Sequence, residues 1–289
     1  MTLLIARGGS MNYIYGIILG LIQGLGEFLP VSSSGHLLLM KKLLGLPPEL
    51  LENNALDILL HLGTLVAVII AFRKTVWRMI TGFCGMIAGI FRGTFKWRKA
   101  NRYQVMAVYV IVATLPLFLV ALVQHYFDYS ALLGDNLLFV GIMLMVTAGL
   151  LFIGDHSVCR NRDIREMQPG QAVKLGLFQA IATLPGLSRS GTTISMAMNM
   201  GFDRQAAIEF SFMMSIPAVL GANILHIGDI KAIGAANIGM FLVALATAVV
   251  AGLGAISLLK YLVKKERFGW FVIYCLIAGA AAIVLNFVL

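Results

Sequence analysis

Apolar residues run through this chain in long blocks, and polar residues gather between them. Six blocks approach or exceed the roughly 20 mostly apolar residues that a bilayer-crossing helix needs: about 55–72, 105–124, 136–154, 205–226, 238–259 and 268–288. Two further apolar stretches are broken in the middle. In 12–46 the apolar run 13–29 meets Pro30, Val31, Ser32, Ser33, Ser34, Gly35 and His36 before apolar character resumes over 37–46. In 171–202 the run 171–184 meets Pro185, Gly186, Leu187, Ser188, Arg189, Ser190, Gly191, Thr192 and Thr193 before 194–202. The pieces are too short to cross alone, so each stretch reads as a hairpin that dips into the membrane and returns to the same side.

The two breaks are copies of each other. Gln23 lies twelve residues before Gly35, and Gln179 lies twelve before Gly191. Both intervals hold a Leu-Pro pair (Leu29-Pro30, Leu184-Pro185) and end in Ser-x-Ser-Gly. Three spans follow each hairpin. A hairpin leaves the side of the membrane unchanged and three spans invert it, so the second half sits upside down relative to the first, as in many transporters. The predicted fold class is an all-α polytopic membrane protein, with six transmembrane helices and two re-entrant helical hairpins in an inverted-topology repeat. It forms a single membrane domain over 1–289, with halves at about 11–154 and 170–289. Residues 1–10 lack an apolar run with a cleavage site and read as an extra leader before Met11, not as a secretory signal.

Composition agrees. The chain is 60% hydrophobic and 12% charged, about half the charge of a soluble domain. The net charge of +9 is clustered. Segment 73–104 holds Arg73, Lys74, Arg78, Arg92, Lys96, Arg98, Lys99 and Arg102. Segment 155–174 holds Arg160, Arg162, Arg165 and Lys174. The turn after the fifth span holds Lys260, Lys264, Lys265 and Arg267. With six alternating spans all three fall on one side, the cytoplasmic side by the positive-inside rule. The other side, with both termini, receives Arg7, Lys41, Lys42 and Lys231. Topology accounts for the whole basic excess, so no nucleic-acid partner is expected. Cys84, Cys159 and Cys275 are odd in number and far apart, which favours neither a disulfide framework nor a zinc site. Segment 76–95 reads as a basic amphipathic surface helix, Trp77, Trp97 and Trp270 as interface anchors, and His125, His156 and His226 as solvated span ends.

The candidate chemistry lies in the breaks. Irregular backbone at membrane depth is tolerated where it is buried in protein or lines a wet cavity. New half-helices start near Ser34 and Ser190, and helix N-termini attract anions. Arg189 adds a planar fork suited to phosphate. Gln23 and Glu27, four residues apart, share a helix face. Glu27 sits near the C-terminal end of its helix, where it needs a cation: Arg189, protonated His36 or a bound metal. A carboxylate, an imidazole, hydroxyls and a guanidinium suit hydrolysis of a phosphate ester or anhydride. Two routes stay open: attack by Ser33 with His36 as its base, or attack by a water that Glu27 activates. Asp57 and His61, also four apart, are a cavity-lining pair or a structural one. Glu209, near Ser211 and Ser215, is a candidate support for the site.

Gln23-x-x-x-Glu27 followed by Phe28 to His36 resembles the first motif of the undecaprenyl-diphosphate phosphatase family linked to bacitracin resistance. Pro185 to Thr193 resembles its second. The resemblance runs from about Met11 to the C-terminus. It implies hydrolysis of a C55 polyprenyl diphosphate to the monophosphate and inorganic phosphate, which recycles the lipid carrier for cell-wall synthesis. It also implies a bacterial inner-membrane enzyme with its site open to the outer face, helped by a divalent cation, Mg²⁺ or Ca²⁺. By this resemblance the family's acidic pair matches Gln23 and Glu27, its His matches His36, its Ser-Arg matches Ser188 and Arg189, its late Thr matches Thr193 and its third hydroxyl is Ser34. Together with the reading of the breaks, the candidate catalytic residues are Glu27, Ser33, His36 and Arg189. Ser32, Ser34, Ser188, Ser190 and Thr193 bind substrate, and Glu27, with Gln23, is the candidate metal contact. Many family members carry Glu where this chain has Gln23. Expected partners are the lipid substrate and membrane lipids, and a homodimer is left open. The rival reading is a transporter of a polyprenyl phosphate or another anion.

Overall fold

A computed structural model describes residues 10–44, 54–126, 136–158, 161–225, 238–265 and 268–288. Arg7, Cys159, Arg160, His226, Lys231 and Arg267 lie outside the described residues. All regular elements among the described residues are helices: α1 (Ser10–Phe28), α2 (Ser33–Leu43), α3 (Asn54–Ala71), α4 (Arg73–Phe91), α5 (Arg102–Tyr126), α6 (Leu137–Asp155), α7 (Pro169–Ile181), α8 (Arg189–Asn199), α9 (Arg204–Leu225), α10 (Ile238–Lys264) and α11 (Gly269–Val288). Five of them are long and apolar enough to cross a membrane. The count reaches six if α3 and α4, bent by 82° across Phe72, are taken as one span. The chain is thus a multi-pass helical membrane protein.

The helices follow the expected apolar blocks closely, with three differences. The second block is longer at both ends, so α5 has 25 residues. The fifth block continues to Lys264, so α10 has 27 residues. The first piece of the first broken stretch is longer than expected. At 19 residues, α1 is roughly 28 Å long, close to the hydrocarbon thickness of a bilayer. Its partners α2 (11 residues), α7 (13 residues) and α8 (11 residues) are far shorter. The segment 76–95, expected as a surface helix, is helical as far as Phe91 within α4 (Arg73–Phe91), whose basic and aromatic side chains, Trp77 included, are mostly exposed.

Small residues decide how the helices meet. Gly16, Gly20 and Gly24 form a stripe on α1 that lies against α10. A Cβ at these positions would come within 2.8 Å of Met240 O, 2.5 Å of Ala244 O and 2.6 Å of Ala248 O. Such stripes let membrane helices approach closely. On α7 the stripe is Ala172, Gly176 and Ala180, all buried, and a Cβ at Gly176 would meet Ala113 O of α5 at 2.4 Å. Helices α6 and α11 cross where Gly141 and Gly279 would each bring a Cβ to 2.8 Å from the other's carbonyl oxygen.

Three basic segments converge at one end of the bundle. Arg102 bonds Asp163 at 2.7 Å and Glu209 at 2.9 Å, Arg204 bonds Asp155 at 3.1 Å, and Lys260 sits 3.7 Å above the Phe72 ring. Glu209 therefore belongs to this end and not to the polar site, because Arg102 and Thr75 (2.6 Å) hold its carboxylate there. Its neighbour Ser211 does reach the second turn, 2.5 Å from Thr193 Oγ1.

Candidate active site

Each broken stretch turns on a serine. Ser32 caps α2 by accepting from Gly35 N at 3.3 Å, and Ser188 caps α8 by accepting from Gly191 N at 3.1 Å. Beside each cap a second hydroxyl lies 3.3 Å away, Ser34 for Ser32 and Ser190 for Ser188. The caps satisfy one of the free N–H groups that start each helix. The two turns also touch. Gly186 N donates to Ser34 Oγ, and Ser190 Oγ donates to Leu29 O, both at 3.3 Å. Gly186 has φ 86, and a Cβ there would meet Val140 O at 2.6 Å, so both its conformation and its surroundings require glycine.

Where the turns meet, Glu27 and Arg189 form an ion pair, Arg189 Nη2 donating to Glu27 Oε1 at 2.5 Å. The other oxygen, Glu27 Oε2, accepts from Ser33 Oγ at 2.8 Å and from Gln23 Nε2 at 3.1 Å. Arg189 Nη1 is buried and has no protein partner. These groups open onto a cavity of about 370 Å³ whose lining includes Glu27, Ser32, Ser33, Ser34, Ser188 and Arg189. A buried cation with a spare donor beside a hydroxyl that a carboxylate already holds can receive a phosphate oxygen and activate an oxygen nucleophile.

Several expected site residues point elsewhere. His36 is absent from the cavity lining. Its Nδ1 lies 2.8 Å from Ser32 O and its Nε2 2.8 Å from Tyr274 Oη. A carbonyl can only accept, so Nδ1 carries the hydrogen and Nε2 accepts from the Tyr274 hydroxyl. Both ring nitrogens are thereby engaged away from Ser33. Ser190 and Thr193 also miss the cavity. The Ser190 hydroxyl is directed to Leu29 O, and that of Thr193 to Arg189 O at 2.9 Å and Ser211 Oγ.

Other groups take the vacant sides. Asp57 and His61 both line the cavity, the first of the two readings that their spacing left open. His61 Nδ1 lies 2.8 Å from Asp57 O and donates to it, and its Nε2 lies 3.9 Å from Glu27 Oε2. Asp57 itself pairs with Lys41 at 3.0 Å. Gln179, Thr183 and Asn223 complete the polar lining. Gln179 is only 1% exposed, and neither its oxygen nor its nitrogen has a protein partner. The sequence carried a signal for it, the shared distance to Gly191, whereas nothing in the sequence distinguished Asn223.

The divalent cation implied by the resemblance would need several oxygen ligands. Both oxygens of Glu27 are occupied by donors, a guanidinium lies against one of them, and of the Gln23 and Glu27 oxygens only Gln23 Oε1 is unpaired. Among the described residues no group of three or more His, Cys, Asp or Glu is suited to a metal. This donor set does not fit a resident cation.

Helices that bring their charged groups into one cavity between two serine-capped turns define a membrane protein that handles an anionic group. The chain belongs to the bacitracin resistance protein BacA family, whose pattern it matches over residues 16–281. It is 36% identical over 278 residues to an undecaprenyl-diphosphatase of Alkaliphilus metalliredigens, covering 96% of this chain and 99% of that one. It is 37% identical over 287 residues to one of Desulfatibacillum aliphaticivorans (96% and 100%) and 38% identical over 270 residues to one of Methanobrevibacter smithii (93% and 96%).

Proposed function

We propose that the protein hydrolyses undecaprenyl diphosphate to undecaprenyl phosphate and inorganic phosphate. The observation that carries this reading is the contact of the two turns, which sets Ser33, Glu27 and Arg189, whose buried Nη1 has no protein partner, on one cavity. The family and the names of its members support it. A passive anion path has no need of a hydroxyl bonded to a carboxylate beside the anion-binding arginine, and this disfavours the transporter reading.

The geometry favours a covalent route. Arg189 Nη1 and the Gln179 amide bind phosphate oxygens. Ser33 Oγ attacks the terminal phosphorus as its proton passes to Glu27. The bond from that phosphorus to the bridging oxygen breaks, and undecaprenyl phosphate leaves with the bonding electrons. Water then attacks the phosphoserine and gives its proton to His61 Nε2, the bond from phosphorus to Ser33 Oγ breaks, Ser33 recovers its proton from Glu27, inorganic phosphate departs, and His61 passes its proton to the surrounding water. His36 holds the turn. A divalent cation, Mg²⁺ or Ca²⁺, would find no ligand set on Glu27 and Gln23, and no step of this route runs through one.

In the membrane, the matched caps and the equivalent helix pairs support two inverted halves with α1–α2 and α7–α8 as re-entrant hairpins. The stripe of α1 packs on α10 as that of α7 packs on α5, and these helices exchange when the halves exchange. The cavity is lined from the starts of α2 and α3 and the later turns of α9, away from the basic end. With the basic end in the cytoplasm of a bacterial inner membrane, the site opens to the outer face. The test is phosphate release by purified protein in detergent, from the C55 diphosphate and from the C55 monophosphate. Release from the diphosphate alone is expected. No release from either substrate contradicts the reading.

A further inference from the structure

At the opposite end of α3 and α9 from the catalytic cavity, a second concavity of about 620 Å³ is enclosed by the α3–α4 bend, the first turns of α9 and the last turns of α10. Along α3 alone, Asp57 in the first cavity and Ala71 in the second are separated by roughly 21 Å at 1.5 Å per residue. The two cavities share no lining residue.

Four cations from two helices line this concavity, Arg73 and Lys74 of α4 and Lys260 and Lys264 of α10, against a single carboxylate, Glu209 of α9. That carboxylate is already engaged, by Thr75 on one oxygen and by Arg102 on the other. Lys260 lies over the Phe72 ring and interacts electrostatically with Glu209, with which it forms no ion pair. The side chains of Arg73, Lys74 and Lys264 form no ion pair or hydrogen bond among the described residues. Phe72, Ile208 and Tyr261 supply apolar wall. Phe72, Arg73, Lys74 and Thr75 at the start of α4 line the same space, and no side chain caps that helix at Phe72. A side preference of Lys and Arg explains why cations lie at this end. It does not explain why four of them surround one volume whose only carboxylate is engaged elsewhere.

We infer that this concavity binds the phosphate group of an anionic ligand, independently of the hydrolytic site. Two sources offer that chemistry: the headgroup of an anionic phospholipid, favoured by the apolar wall and by the known pull of basic pockets between membrane helices, and free phosphate.

The test uses the full-length protein in detergent and follows its thermal unfolding while phosphatidylglycerol, phosphatidylcholine or inorganic phosphate is titrated. Three proteins are compared: the parent, Lys260→Gln/Lys264→Gln, and Lys96→Gln/Lys99→Gln, whose exposed positions lie outside the concavity. Phosphate also occupies the catalytic site in all three, so the difference between proteins is the readout. Each cation near an anionic headgroup is worth about fivefold in affinity, so the cavity variant should need roughly 25-fold more phosphatidylglycerol for the same stabilisation. The control variant should match the parent, and phosphatidylcholine should stabilise none of them. The same pattern with inorganic phosphate in place of the lipid assigns the site to free phosphate. Should the double variant fail to fold, Arg73→Gln carries the same comparison with about a fivefold expectation. The inference is overturned if neither ligand separates the cavity variant from the parent, or if the control loses as much.

Discussion

Ser32 holds φ 68, a conformation rare for a residue with a side chain, and the next residue is Ser33. Strain of this kind costs about 1–3 kcal/mol and persists where the surroundings enforce it. Here the enforcement comes from His36 Nδ1 on the Ser32 carbonyl, with Tyr274 behind the ring. His36→Ala is therefore expected to lower turnover by releasing the turn, with Tyr274→Phe acting in the same direction more weakly. Neither should alter the shape of the pH–turnover profile. Loss of a titrating limb in His36→Ala alone would instead make His36 the proton carrier. Arg189 uses one nitrogen on Glu27 and keeps the other free. Lysine keeps the charge without the fork. Arg189→Lys should cost about 10²–10³-fold in turnover, the usual loss for one donor to a developing oxyanion. A variant with parental turnover and apparent affinity would reduce Arg189 to a counter-ion.

At the scale of helices, the site depends on how closely α1 can lie on α10. A side chain at Gly20 would press on Ala244 O and on Thr247 Cβ at 2.8 Å, and overpacking of this kind costs about 1–3 kcal/mol. Gly20→Leu is expected to lower the midpoint of thermal unfolding and to reduce activity by shifting Glu27 on the same helix. Gly149→Leu, with nothing within 4 Å of its Cβ, should leave both unchanged. Equal behaviour of the two variants would contradict the close-packing account. Helix positions were legible in the sequence because a bilayer demands long apolar runs. The length of α1 was not, because its first residues continue a helix that the apolar pattern alone did not extend to Ser10.

For the whole molecule, the duplicated serine turns were legible because the same capping and tight-turn chemistry recurs at the same distance from Gln23 and Gln179. The direction of His36 was not, since it is set by Tyr274, 238 residues away. The place of Glu209 was also hidden, because Arg102 from another span claims it. Topology has its own test. In a background free of Cys84, Cys159 and Cys275, Leu43→Cys should react with an impermeant thiol reagent in intact cells, and Arg98→Cys only after the membrane is opened. The reverse pattern would invert the assignment.

The central claim is that the first turn's Ser33 and Glu27 and the second turn's Arg189 act on one phosphate as a unit. Residues that act as a unit are strongly non-additive. The decisive measurement is the rate of phosphate release from the C55 diphosphate by Ser33→Ala, Arg189→Ala and the double variant, each confirmed folded. The account predicts that each single change removes nearly all turnover and that the double variant is little worse than the poorer single one. Substantial turnover in Ser33→Ala, with losses that multiply in the double variant, would contradict it.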